Sequence, residues 1–243
     1  MLKPKWLALT LVCLLLLPAF NSLSDWQWRR LHQRQAYNAV IQMNTTRPPA
    51  TLSQVRGTEK TTVAQTEQWR TMHIIGTWDV AHQVLVRKKS YYSEVGFWVV
   101  TPLVTTEGTL LINRGWIAAG NSAVDSPAVP APPVGQVEVS ARIRLITAKQ
   151  FSHPSDMPRG QIDDIDPGFI TPDTSVITNA YGEIIASRPD SSTGLKLIAA
   201  PDVSEGPHRS YALQWIFFAI MTIIGWIILV RNQVILEREK LEV

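Results

Sequence analysis

The chain has 243 residues, 23 Lys/Arg against 20 Asp/Glu, and one cysteine, Cys13, set inside an apolar run. Between Asp25 and Gly206 the charges balance at 17 of each sign, so the formal excess of +3 comes from the two ends and offers no basic face to a nucleic acid. A lone cysteine excludes an intrachain disulfide and the CxxC, CxxCH and cysteine-rich zinc patterns, so a folded middle of about 180 residues must rest on its apolar core.

In chain order, Trp6 to Phe20 is apolar apart from Thr10 and follows Lys3 and Lys5. That is the basic head and apolar body of an export signal. The following LPAFNSLS has no small-x-small cleavage pattern, which predicts an uncleaved anchor and a first transmembrane helix over 1–24. Trp26-Gln27-Trp28-Arg29-Arg30 then suits a helix leaving a bilayer, with rings at the headgroups and guanidiniums in water. The polar helix is expected to reach about Gln42, before Pro48 and Pro49 stop it.

Beyond the prolines the pattern turns to strands. His82–Arg87 reads as a short strand, and Val95–Val104 with Thr109–Ala118 as a hairpin around Thr105-Thr106-Glu107-Gly108. Val137 to Ile146 alternates, with Val137, Val139, Ala141, Ile143 and Leu145 on one face and Glu138, Ser140, Arg142 and Arg144 on the other. Shorter strands are expected from Ser175, Gly182 and Gly194, and irregular Pro-rich loops over Ser126–Gln136 and Phe151–Phe169. Tyr211 to Val230 is free of formal charge and, at about 1.5 Å per residue, long enough to cross a hydrocarbon core.

These elements predict an α+β membrane protein: two transmembrane helices flanking an antiparallel, barrel- or sandwich-like extracytoplasmic domain. The expected divisions are a helix at 1–24, the β-rich domain at 25–206, a second helix at 207–231 and a cytoplasmic tail at 232–243. Lys3 and Lys5 before the first helix, and Arg231, Arg238 and Lys240 after the second, place both termini in the cytoplasm of a cell membrane.

Catalytic patterns are absent. Asp163-Asp164-Ile165-Asp166 lacks the glycine and terminal glutamate of a calcium loop and reads as a solvated acidic turn. His32, His73, His82 and His153 stand in no nucleophile-elbow or metalloprotease pattern, and no Gly-rich phosphate loop occurs. The chain is therefore not expected to be an enzyme.

Two other features admit a binding role. Arg114, between apolar strand residues and followed by Gly115-Trp116, suggests a bulge or a close backbone approach. Arg87 and Arg114 are candidates to hold carboxylates at one end of the sheet, or else are satisfied by the protein's own acids. His208, Tyr211, Ala212, Trp215 and Ala219 share one helix face at the membrane surface. A neutral imidazole there is either an interfacial anchor or an axial ligand for haem iron, with Arg209 near a propionate.

Together these residues resemble the Surf1 family of cytochrome c oxidase assembly factors. The resemblance rests on Trp26, Gln27 and Arg30; on a block of Arg87, Gly96, Phe97, Val99, Thr101, Pro102 and Leu103; on Leu111, Asn113, Arg114, Gly115 and Trp116; and on His208, Ser210, Tyr211, Ala212, Gln214 and Trp215. The chain departs from the family pattern at Ser24-Asp25 and in flanking His208 with Pro207 and Arg209. The resemblance implies an integral membrane factor that helps build oxidase subunit I, beside other assembly factors, by handling haem a, with His208 as iron ligand. His208, Arg209, Tyr211, Trp215, Arg87 and Arg114 are the cofactor-binding residues it suggests. A scaffold for subunit I that binds no haem is the alternative.

Overall fold

The first apolar run and the polar stretch after it form one helix, α1 (Pro4–Thr46, 43 residues), which in the computed structural model passes through Pro18 without a break. The structure describes residues 4–120, 126–147, 151 and 157–239; Lys3, His153 and Lys240 lie outside the described residues. The second long helix, α4, is His208–Glu239. Both are long and apolar enough to cross a membrane, and none of the most apolar window of α4 is buried. Away from α1 those apolar side chains stay exposed, as a helix surface suited to lipid does.

Two compact units result: one holds the chain up to Ala39 and from Val203 onward, the other Val40–Asp202. In the helical unit the less exposed positions of α1 include Thr10, Cys13, Leu17, Phe20, Ser24, Gln27, Leu31, Arg34 and Asn38, which alternate steps of three and four. On α4 they include His208, Ala212, Trp215, Ala219, Thr222 and Trp226, stepping four and three. A repeat of 3.5 residues keeps one seam facing a partner helix. The contacts run antiparallel: Trp226 Nε1 donates to Thr10 Oγ1 at 3.1 Å, Phe20 stacks on Trp215 at 5.9 Å, and Ser24 Oγ donates to the Ala212 carbonyl at 3.1 Å. The Ser24 departure from the family pattern thus has a use, as an interhelical hydrogen bond beside a fully buried alanine.

The other unit is built on β1 (Thr71–Trp78), β2 (Val84–Tyr91), β3 (Glu94–Thr105), β4 (Gly108–Ala118), β5 (Gln136–Leu145), β6 (Gln161–Ile162) and β7 (Ala180–Arg188), with short helices α2 (Leu52–Val55) and α3 (Pro167–Ile170). The seven strands form one sheet in the order β1-β5-β7-β4-β3-β2-β6, and a further β1–β3 pairing closes five of them into a ring. One edge of β3 is shared, by β2 along Glu94–Val100 and by β1 at Leu103–Val104. The barrel-like expectation holds, with one difference: β4–β7 and β2–β6 pair in parallel.

The alternation of β5 sends Val137, Val139, Ala141 and Ile143 into the ring core with Met72, Ile74, Leu103, Leu110 and Ile112. Its opposite face is not simply solvated. Arg142 and Arg144 lie 3.6 and 2.8 Å from the carboxylate of buried Glu183 on β7, and Arg144 stands 3.9 Å over the Trp69 ring. Burial pushes the Glu183 carboxyl up in spite of both arginines.

Several strand assignments shift. His82 belongs to a 3-10 turn (Val80–His82), and β2 begins only at Val84. The stretches from Ser175 and Gly194 are not strands but single bridges, Thr109 with Val176 and Trp116 with Lys196. β1 was not expected at all, although Met72, Ile74 and Trp78 alternate inward against exposed His73, Ile75 and Thr77.

Candidate functional site

Gln27 and His208 occupy facing positions on the helical seam. Gln27 is nearly buried, and its Oε1 lies 2.9 Å from His208 Nδ1. An amide oxygen only accepts, so Nδ1 is the donor in this contact, and in the neutral imidazole the lone pair is then on Nε2. Gly206, at φ +67° in the turn entering α4, holds a left-handed conformation that favours glycine, and a Cβ there would make ordinary contact with the imidazole, 3.6 Å from Cδ2 and 3.7 Å from Nε2.

His208 lines a groove of about 480 Å³ with Trp26, Arg30, Gln33, Arg34 and Tyr37 of α1. Those five stand at i, i+4, i+7, i+8 and i+11, one helix face next to the seam. The groove lies just beyond both apolar runs, since Trp26 follows Leu23 by three residues and His208 precedes Tyr211 by three. Its lining holds two guanidiniums, two aromatic rings and one imidazole, without a carboxylate. Arg34 is anchored by Nε donation to the Ser204 carbonyl at 2.9 Å, and Asn38 fixes the same segment by donating to the Val203 carbonyl at 2.6 Å. Arg30 lies over the Trp26 ring at 5.9 Å.

Chemically the set suits a flat, mainly apolar ligand with an anionic edge and a metal that takes an imidazole nitrogen. His208 supplies the nitrogen, the rings supply apolar walls, and the arginines supply charge. An iron porphyrin has each of those properties, so these residues fit that group.

The residues singled out from sequence fall in different places. Tyr211 and Arg209 flank this site in sequence and are exposed; neither lines the groove. Ala212 and Trp215, expected to meet the flat face of a porphyrin, are turned onto α1, where Ser24 and Phe20 already cover them. Arg87 and Arg114 belong to the β unit. Arg87 sits in the β2 bulge between Val86 and Lys89. Arg114 is the extra residue of a bulge opposite Val99–Val100, only 1% exposed.

Arg114 donates to the Ser191 carbonyl at 2.8 Å, to Gln83 Oε1 at 2.8 Å and to the Pro130 carbonyl at 2.9 Å. Burial lowers its pKa to about 10, still cationic at neutral pH. Its fork is spent on neutral carbonyl and amide oxygens, neither on an outside carboxylate nor on the protein's acids. It ties three loops together. Sequence reasoning missed the Gln27 contact and the groove roles of Gln33, Arg34 and Tyr37; the three-four spacing from Phe20 to Asn38 was the available signal.

Comparison with known proteins bears on the whole chain. Residues 14–220 match the SURF1 family. Uncharacterized SURF1-like proteins of Mycobacterium bovis and Mycobacterium tuberculosis are 29% identical over 230 residues, covering 93% of this chain and 83% of theirs. With the match running from inside the first helix to the middle of the second, the chain belongs to the SURF1 family.

Proposed function

We propose that this protein is an assembly factor for haem-copper (cytochrome c) oxidase, which holds haem a at the His208 groove and passes it to nascent subunit I. It acts by binding and transfer rather than catalysis. Both termini lie in the cytoplasm, the β unit lies outside the plasma membrane, and the partners are subunit I, other oxidase assembly factors and the bilayer. Membership of a family known in general for oxidase assembly supports the broad reading.

The observation that carries the finer one is the His208–Gln27 contact, which orients through Nδ1 an imidazole that lines the groove. When bound, the group supplies an iron centre and two carboxylates. Gln27 orients the imidazole, and Trp26 and Tyr37 wall the apolar body. An interfacial location lets His208 avoid the full cost of burial in hydrocarbon.

One observation favours the scaffold alternative, in which subunit I is stabilised without haem. Ala212 and Trp215 serve helix packing, so part of the expected binding face is already used. The two separate in cells lacking the protein. Under the proposal, the parent gene restores haem a content to subunit I and His208→Ala does not, with equal amounts of factor in the membrane. Full restoration by His208→Ala favours the scaffold.

A further inference from the structure

The groove has a carboxylate position that family resemblance does not indicate. We infer that Arg30 binds the carboxylate edge of the ligand whose metal His208 holds; this rests on the reading that the groove takes a tetrapyrrole.

Arg30 differs from the arginines whose donors are engaged inside the protein. Arg114 spends its fork on three oxygens, Arg142 and Arg144 face Glu183, Arg47 and Arg70 grip Glu67, and Arg34 holds the Ser204 carbonyl. Among the described residues Arg30 has only Gln33 Oε1, at 3.5 Å, and the Trp26 ring, at 5.9 Å. A 3.5 Å contact is at the limit of a hydrogen bond, so its donors are uncommitted. A guanidinium laid over an indole is already oriented, and its planar fork matches a carboxylate in two-point contact. It lies on the groove wall that carries Trp26, one turn farther along α1 from the apolar run, where the charged edge of an amphipathic plate would meet water. Arg209 is exposed and outside this lining, whereas Arg30 is part of it.

The test uses the full chain in detergent, titrated with ferric protoporphyrin, with its dimethyl ester and with the iron-free free acid, followed by absorption and tryptophan fluorescence. Arg30→Gln should weaken the free-acid ligands by about tenfold, the loss of one charge-assisted contact, and change the ester by less than about twofold. Arg30→Lys, which keeps charge but not the fork, should fall between. His208→Ala should weaken both iron forms and leave the iron-free porphyrin unchanged.

Equal weakening of acid and ester by Arg30→Gln, or no weakening of the acid, overturns the inference. So does loss of the acid–ester difference when phosphatidylglycerol is added to the micelles, which would make a lipid phosphate the occupant. If His208→Ala changes nothing while Arg30→Gln still separates acid from ester, the carboxylate position stands and the iron reading falls. If the parent binds no porphyrin, both fall.

Discussion

One amide, that of Gln27, orients the imidazole of His208. Because Gln27 Oε1 accepts from Nδ1, removing it frees the ring to change tautomer and turn. Gln27→Leu is therefore expected to lower affinity for ferric porphyrin by roughly tenfold, as loss of an outer partner does at metal-bound histidines. Gln27→Glu, which retains an acceptor, should preserve it; spectral titration distinguishes the two. Glu67 illustrates the same dependence on partners in the β unit. Burial pushes its carboxyl up, but hydrogen bonds and charge from Arg70 at 2.8 Å and Arg47 at 3.1 Å outweigh that and leave its pKa below the ordinary 4.5. The folded state thus favours the ionised form: its contribution is present above the unfolded glutamate range and disappears as pH falls through the lowered folded value. Glu67→Gln should cost about 2 kcal/mol at pH 7, and thermal melts of variant and parent should converge in acid. At this scale the sequence showed His208 as an oddity at a membrane surface, whereas its partner lies 181 residues away, a pairing that no local pattern encodes.

At the scale of elements, periodicity was legible wherever one side of a strand or helix was buried. The alternation of β5 and the turn between β3 and β4 follow directly from residue order, as does the bulge announced by Arg114-Gly115. The stretch from Gly194 misled because it is apolar without being a strand: it only crosses Trp116, whose N–H and carbonyl pair with Lys196. That crossing explains the glycine. Gly115 sits at φ +147°, and a Cβ would meet the Leu195 Cβ at 2.9 Å and the Lys196 carbonyl oxygen at 3.0 Å. Gly115→Ala should destabilise the protein by about 3 kcal/mol through combined backbone strain and crowding, read as a lowered melting temperature. Arg142 and Arg144 show the opposite limit of pattern reading: residues on the polar side of a strand end up against a buried acid because β7 brings Glu183 to them.

For the whole molecule, two apolar segments far apart in the sequence meet as one antiparallel pair within the helical unit. The spacing that makes this seam was present in the sequence from Thr10 to Asn38, but its partner helix was separated by the entire β unit. Cysteines at Thr10 and Trp226, in a Cys13→Ser background, should cross-link under mild oxidation with a short bifunctional reagent, while Thr10→Cys with a cysteine at lipid-facing Phe217 should not; gel mobility reports both. The same seam brings Gln27 to His208, so the groove beside His208 is a product of helix pairing. The most direct test of that account is the absorption spectrum of the detergent-purified parent and His208→Ala, each co-produced with the enzymes of haem a synthesis. A Soret band in the parent that is lost in His208→Ala, with helix content unchanged, is the predicted result; an equal band in the variant would contradict it.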